Sequence, residues 1–255
     1  MELNKYVILL LITGLSVAGC GKSDDDDLTA GGSSSGSSAS AVMGTASVSG
    51  KVVLSGKAPQ MAAIHFDADP VCKAQHTGTT LDETIEVDAK GNLSDVLVYV
   101  KDGAGNYSAP SAGVTLLQKG CQYHPHVFGI QVNQPMEIVN GDNTLHNVHA
   151  MPVINDAFNV GQPSQNMVTE KKFSKPEVPV KFKCDVHSWM HCLAGVFSHP
   201  FFSVSAPDGT FKIGGLPAGS YTLAAYQEKY GESAPQKVDI KDGEAKSVTF
   251  TFTAQ

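Results

Sequence analysis

Pro135-Met136-Glu137-Ile138-Val139, then Asn140-Gly141-Asp142-Asn143-Thr144, then Leu145-His146-Asn147-Val148-His149-Ala150 reads as strand, turn, strand. Side chains alternate faces along a strand, so His146 and Val148 share one face while Asn147 and His149 take the other. Only one of these two histidines can easily face a ligand on a neighbouring segment. Further strands follow the same logic. Ala46–Leu54 alternates and ends in the turn residues Ser55-Gly56, and Asp95–Val100 is a β-branched run ending at Lys101-Asp102-Gly103. Gly209–Leu223 reads as strand, Leu-Pro-Ala-Gly turn, strand, and Lys246–Phe252 alternates to the end. No amphipathic helix of useful length is visible, so the expected class is all-β. The roughly 210 residues beyond residue 45 suffice for one large sandwich or two small ones, and two adjacent domains are expected.

Downstream, Cys184-Asp185-Val186-His187-Ser188-Trp189-Met190 sets a thiolate, an imidazole and a thioether at a C-x2-H-x2-M spacing. With an upstream histidine this is a ligand shell for one copper ion. Two His and one Cys make a trigonal site with a long axial Met, and that mixture suits both Cu(I) and Cu(II). A chance cluster in a chain with 9 His and 7 Met is the competing explanation, weakened by the upstream half of the pattern. Zinc could use the same Cys and His, but a structural zinc site does not favour Met. A dinuclear copper site would need two thiolates within one loop, whereas Cys192 comes after Met190. The chain has no C-x-x-C, which argues against attached haem and thioredoxin chemistry.

At these residues the chain resembles the cupredoxins, the family of plastocyanin, amicyanin and pseudoazurin, in which the first ligand His is followed by Asn in a similar context. The resemblance covers roughly residues 114–204 and is strongest to amicyanin, which shares the short ligand loop. It implies a Greek-key β-sandwich with a mononuclear copper ion on His146, Cys184, His187 and Met190. It also implies that Asn147 ties the two ligand segments together from behind, and that His187 is the solvent-edge ligand through which electrons pass. The flanks resemble the carboxypeptidase regulatory-like domain, a small prealbumin-like sandwich. There a G-x-V strand, here Gly50-Lys51-Val52, opens the fold, and Gly209-Thr210-Phe211-Lys212-Ile213-Gly214-Gly215-Leu216-Pro217-Ala218-Gly219-Ser220-Tyr221-Thr222-Leu223 matches the closing pattern. The resulting expectation is a discontinuous sandwich, residues 46–111 and 200–255, around a copper domain of residues 112–199. A serial order, with 46–111 as a separate unit, is the alternative.

Lys5, the apolar run Tyr6–Ile12 and Val17-Ala18-Gly19-Cys20 form a short leader ending at a Cys. The apolar core is too short to span a bilayer. It looks like a bacterial lipoprotein signal, residues 1–19, which implies lipidation of Cys20 and a place in the bacterial cell envelope. Gly21 resembles the sorting pattern for the outer membrane, with the folded part facing periplasm or surface. Residues 20–45, rich in Gly, Ser and Asp, cannot bury a core and are expected to be a disordered tether. Of the remaining cysteines, Cys72 and Cys121 suit a disulfide in an oxidising compartment. A second metal site from Cys121, His124 and His126 with Cys72 and His76 competes with that pairing, and Cys192 stays unassigned.

Net charge is −7, and all 18 basic residues are Lys, so nucleic acid is not an expected partner. An acidic surface does steer encounters with a basic redox protein. One-electron transfer to such a partner is the leading expectation, with Trp189, Leu193 and Met151-Pro152-Val153 as a contact patch. Copper binding, storage or delivery through the surplus His124, His126, His149 and His191 is the alternative, and a purely structural surface lipoprotein a third. No nucleophile-base motif is visible, so no enzyme is expected.

Overall fold

The computed structural model describes residues 42–254. The leader, Cys20 and the tether as far as residue 41 lie outside the described residues. The first strands are β1 (Ala46–Ser55), β2 (Leu97–Asp102), β3 (Val114–Lys119), β4 (Gln122–His124), β5 (Val127–Gln131) and β6 (Met136–Asn140). Next come β7 (His146–Met151), β8 (Phe158–Gln162), β9 (Val168–Lys171), β10 (Glu177–Lys183), β11 (His191–Phe197) and β12 (Phe202–Val204). The last are β13 (Thr210–Leu216), β14 (Gly219–Gln227), β15 (Gly231–Glu232), β16 (Gln236–Ile240) and β17 (Ala245–Thr253). Between β1 and β2 lie a 3-10 turn, Phe66–Ala68, and a five-residue helix, α1 (Pro70–Ala74). The fold is all-β and built of sandwiched sheets.

Among the described residues four sheets form, in the orders β13-β1-β17, β12-β2-β14-β15 with β16 beside β14, β5-β11-β10-β7-β8, and β4-β3-β6-β9. The first two draw on strands before residue 103 and after residue 201, and the last two on the strands between. Alternation along the strands decides how they stack. Val98 and Val100 of β2, with Leu223 and Ala225 of β14, join a core with Val48, Val52, Phe211 and Phe250 of the first sheet. Leu97, Tyr99 and Ala224 point the other way, onto Val127, Leu193 and Phe197 of the third sheet. The same strand β11 turns Cys192, Ala194 and Val196 inward, among Leu116, Ile138, Val148 and Phe182. Both β2 and β11 are thus covered on both faces, which is why Leu97–Val100 is continuously apolar.

The central contact is close enough to require missing side chains. A Cβ on Gly195 would stand 2.4 Å from Leu97 Cδ2, and one on Gly129 2.2 Å from the Phe202 ring. Overfilling a packed site costs about 1–3 kcal/mol. Gly195→Ala is therefore expected to lower stability in urea unfolding by about that amount. Gly214→Ala, whose new methyl would meet nothing within 4 Å, should stay within about 0.5 kcal/mol of the parent.

Candidate metal centre

His146 opens β7, and the ligand loop leaves the end of β10 and returns at the start of β11, one strand away from β7 across the sheet. The loop closes on itself. Cys184 N–H donates to the Met190 carbonyl at 3.0 Å, Met190 N–H to the His187 carbonyl at 2.9 Å, and His187 N–H to Cys184 Sγ at 3.4 Å. These bonds aim Cys184 and His187 at His146. His146 Nδ1 lies 3.0 Å from His187 Nδ1, and Cys184 Sγ lies 3.8 Å from His187 Nδ1. Met190 is buried in the same core cluster as Cys184.

Asn147, next to His146, binds the loop to β7. Its Oδ1 accepts the Cys184 thiol at 3.3 Å and the Asp185 N–H at 2.7 Å, and its Nδ2 donates to Asn159 Oδ1 and Asp185 Oδ2. His149 is on the other face of β7, with Nδ1 at 3.0 Å from Asp185 Oδ2 and a side chain 31% exposed. It does not join the cluster.

Two aspartates that the sequence reading did not single out complete the site. Asp142 Oδ2 is 3.1 Å from His146 Nε2, and Asp69 Oδ2 is 3.2 Å from His187 Nε2. A carboxylate only accepts, so each imidazole donates an Nε2–H to its aspartate and leaves its Nδ1 facing the centre. Asp142 also accepts the N–H groups of Gly120 and Cys121, the two residues of the β3–β4 turn, both at positive φ. Asp69 caps α1 through the N–H groups of Val71 and Cys72 and accepts Thr144 Oγ1–H at 2.7 Å. An Asp-Pro pair, N-cap followed by N1 proline, is the local signal for this short helix.

Cys72 and Cys121 are joined, with S–S 2.02 Å, and Cys72 Sγ lies 3.6 Å from His187 Nε2. The Phe66–His76 segment therefore forms a cap over the ligand loop. Phe66 stacks on the His76 ring and meets Trp189 edge-on, and Trp189 donates from Nε1 to the Cys121 carbonyl. Under this cap His187 is only 2% exposed. The expectation that it forms a solvent edge is corrected, because a stretch outside the resembling region covers it. The alternative metal site at Cys121 is corrected too. Both its thiols are consumed in the disulfide, His76 binds the Gly120 carbonyl and His124 the Lys119 carbonyl. Leu193 is interior and drops out of any contact patch. Cys184 and Cys192 are unpaired, and burial pushes the Cys192 thiol well up.

The electrostatics favour a metal. Burial would raise the Cys184 thiol, but hydrogen bonds with His146 and His187 outweigh it and bring the group down to about 6. Burial likewise works against Asp69, yet Thr144, the Val71 N–H and His187 lower it to about 2. His146, Cys184 and His187 place two nitrogens and a sulfur within 4.8 Å of one another. Bonds of about 2.0 Å to nitrogen and 2.3 Å to sulfur separate trigonal donors by roughly 3.5–3.8 Å, so the cluster fits one ion after a small opening.

No protein-family model and no curated protein matches the chain. Among solved structures it is similar to a copper-containing nitrite reductase from Thermus scotoductus, with 21% identity, a TM-score of 0.32, and 38% of this chain and 25% of that one covered. It is similar also to a purple cupredoxin from Nitrosopumilus maritimus, with 20% identity, TM-score 0.29, and 32% and 98% covered. For amicyanin from Paracoccus versutus the values are 19%, 0.30, 39% and 96%. The chain thus spans about a quarter of the nitrite reductase.

The Asp69 carboxylate sits below its unfolded value of about 3.9, so its stabilising effect is complete above about pH 4 and is lost as pH falls towards 2. In the metal-free protein, Asp69→Asn is expected to flatten that part of the stability curve, read by urea unfolding at each pH. Cys72→Ala with Cys121→Ala opens a 49-residue loop. That change should cost about 4 kcal/mol in the chain-entropy account, with faster amide exchange confined first to the cap.

Proposed function

We propose that this chain is a membrane-anchored copper protein that transfers single electrons, with His146, Cys184, His187 and Met190 as ligands of one ion. The observation that carries the reading is the dry triad of two imidazole Nδ1 atoms and a thiol of lowered pKa, each imidazole held by its own aspartate. Copper in such a shell supplies a reversible one-electron couple. Cys184, at about 6, gives up its proton readily near neutrality. Asp142 and Asp69 keep the imidazoles from turning, and the Cys184–Met190 backbone bond keeps the loop from opening. A frame held in this way changes little between oxidation states, which favours electron transfer over delivery.

The same burial supports a role without catalysis. A catalytic metal keeps an open position for substrate, whereas His146, Cys184, His187 and Met190 are all 2% exposed or less. Contact with a redox partner then falls to the exposed Leu145 and Val186, each one peptide bond from a ligand histidine. A net charge of −7 favours a basic partner. Lipidation at Cys20 would hold the protein at the bacterial envelope, probed most directly at the outer membrane.

The copper-loaded protein is expected to show an intense thiolate charge-transfer band in the visible, abolished by Cys184→Ser and retained by His149→Ala. Copper should stay bound through repeated reduction and oxidation, and Met190→Gln should lower the potential without emptying the site. Loss of copper on reduction would turn the assignment to copper handling. For the anchor, Cys20→Ser is expected to move the protein out of the membrane fraction or block its processing; unchanged membrane association would remove Cys20 from this role.

A further inference from the structure

A second cluster lies at the junction of the two pairs of sheets, and the copper reading does not use it. His126 directly precedes β5 and His191 opens β11. These are neighbouring parallel strands, and Leu193 N–H donates to the His126 carbonyl at 3.0 Å. The two rings therefore stand at one end of the same sheet, with centroids 5.0 Å apart and planes nearly perpendicular. Glu228, just past the end of β14 in the other pair of sheets, enters between them. Its Oε2 is 2.7 Å from His126 Nε2 and its Oε1 3.0 Å from His191 Nδ1. Behind the rings stand consecutive acids from the loop before β2. Asp82 Oδ2 is 3.4 Å from His191 Nε2, and Glu83 Oε2 is 3.9 Å from His126 Nδ1.

Hydrogen bonding alone leaves this arrangement unfinished. His126 is 6% exposed, and its Nδ1 has no hydrogen-bond partner. Three carboxylates face two imidazoles, so the group stays negative even with both rings protonated. Among the described residues no Lys forms an ion pair with Asp82, Glu83 or Glu228. Partly buried charge of one sign is costly unless something neutralises it.

We propose that His126, His191 and Glu228 bind a second metal, a divalent first-row cation of the zinc type, with Asp82 and Glu83 holding the two imidazoles from behind. Two His and one carboxylate are a zinc ligand set, and ligating His commonly donates its other nitrogen to a carboxylate. The donor atoms lie within 4.8 Å of one another. Ligands about 2.0–2.2 Å from an ion stand roughly 3.4 Å apart in a tetrahedral site, so Glu228 has to draw back by less than about 1 Å. A cleft lined by Asp82, Glu83, Glu86 and Gln122 opens on the outer side of the two supporting carboxylates. The set contains no sulfur, so it selects a harder ion than the Cys184 site does. Because His191 follows Met190, an ion here also anchors the end of the copper loop.

The test uses the full chain carrying Cys184→Ser, stripped of metal and titrated with Zn2+ alone against a chromophoric zinc indicator. One equivalent is expected to bind. Adding His126→Gln and Glu228→Gln should weaken that binding at least 100-fold, and Asp82→Ala alone should weaken it about 10–100-fold. X-ray absorption of the zinc-loaded protein carrying Cys184→Ser with His146→Gln and His187→Gln, which removes the imidazoles of the first centre, should still show only nitrogen and oxygen neighbours, including imidazole, and this reads the site even if the double variant fails to fold. No zinc bound by the Cys184→Ser chain, unchanged affinity in a folded double variant, or sulfur in the zinc shell would each overturn the proposal. The double variant with Cys184 intact should keep the visible copper band. Absence of that band in the parent protein would count against the copper reading alone.

Discussion

A buried imidazole has two nitrogens, and in this protein an aspartate occupies Nε2 of both His146 and His187, which leaves each Nδ1 turned toward the other. From that arrangement a closed circuit follows. Asp142 holds His146 and also the Cys121 N–H; Cys121 is bonded to Cys72; the Cys72 N–H rests on Asp69; and Asp69 holds His187, which faces His146 again. Each member is placed by the next. Asp142 works against burial to remain ionised, because the hydrogen bonds it accepts, His146 first among them, depress its pKa strongly. Removing one partner would leave a buried charge unpaired, a loss of about 3–5 kcal/mol in comparable cases.

The circuit joins parts of the chain that belong to different sheets, and strand β11 explains why they can meet. Its inward face carries Cys192, Ala194 and Val196, while Leu193, Gly195 and Phe197 face the β2–β14 sheet. A strand buried on both sides has little freedom to shift, since a one-residue slip would exchange its two faces. The ligand loop runs directly into this strand at Met190-His191. The rigidity of the Cys184–Met190 loop is therefore borrowed from the packing between the two pairs of sheets.

Much of this was legible in the residues. Alternation along β7 separates His146 from His149, and the resulting positions, one interior and one at the surface with Asp185, obey it. The all-β class was readable from the same alternation and from turn residues. What escaped is what depends on distance along the chain. Asp142 was visible only as a turn former within its Asn-Gly-Asp-Asn run, because nothing local says that its carboxylate turns inward. Asp69 announces a helix start with Pro70, but its bond to His187 spans a sequence separation of 118. The assumption that His187 meets solvent failed for the same reason: the residues covering it lie in a loop before β2, beyond the resembling stretch. The Glu228 pairing with His126 and His191 depends on how sheets stack, and no strand pattern reports that.

The cap has a kinetic meaning as well as a structural one. Donors sealed beneath a disulfide-bonded segment cannot meet an ion at the rate of free diffusion. Entry and exit must wait for a local opening, whose free energy is set by the hydrogen bonds around Asp69 and by the Phe66 and Trp189 contacts. Exchange at the proposed centre would therefore be timed by the protein, and a folded chain once loaded would hold its ion for longer than the affinity of the four proposed ligands alone would set.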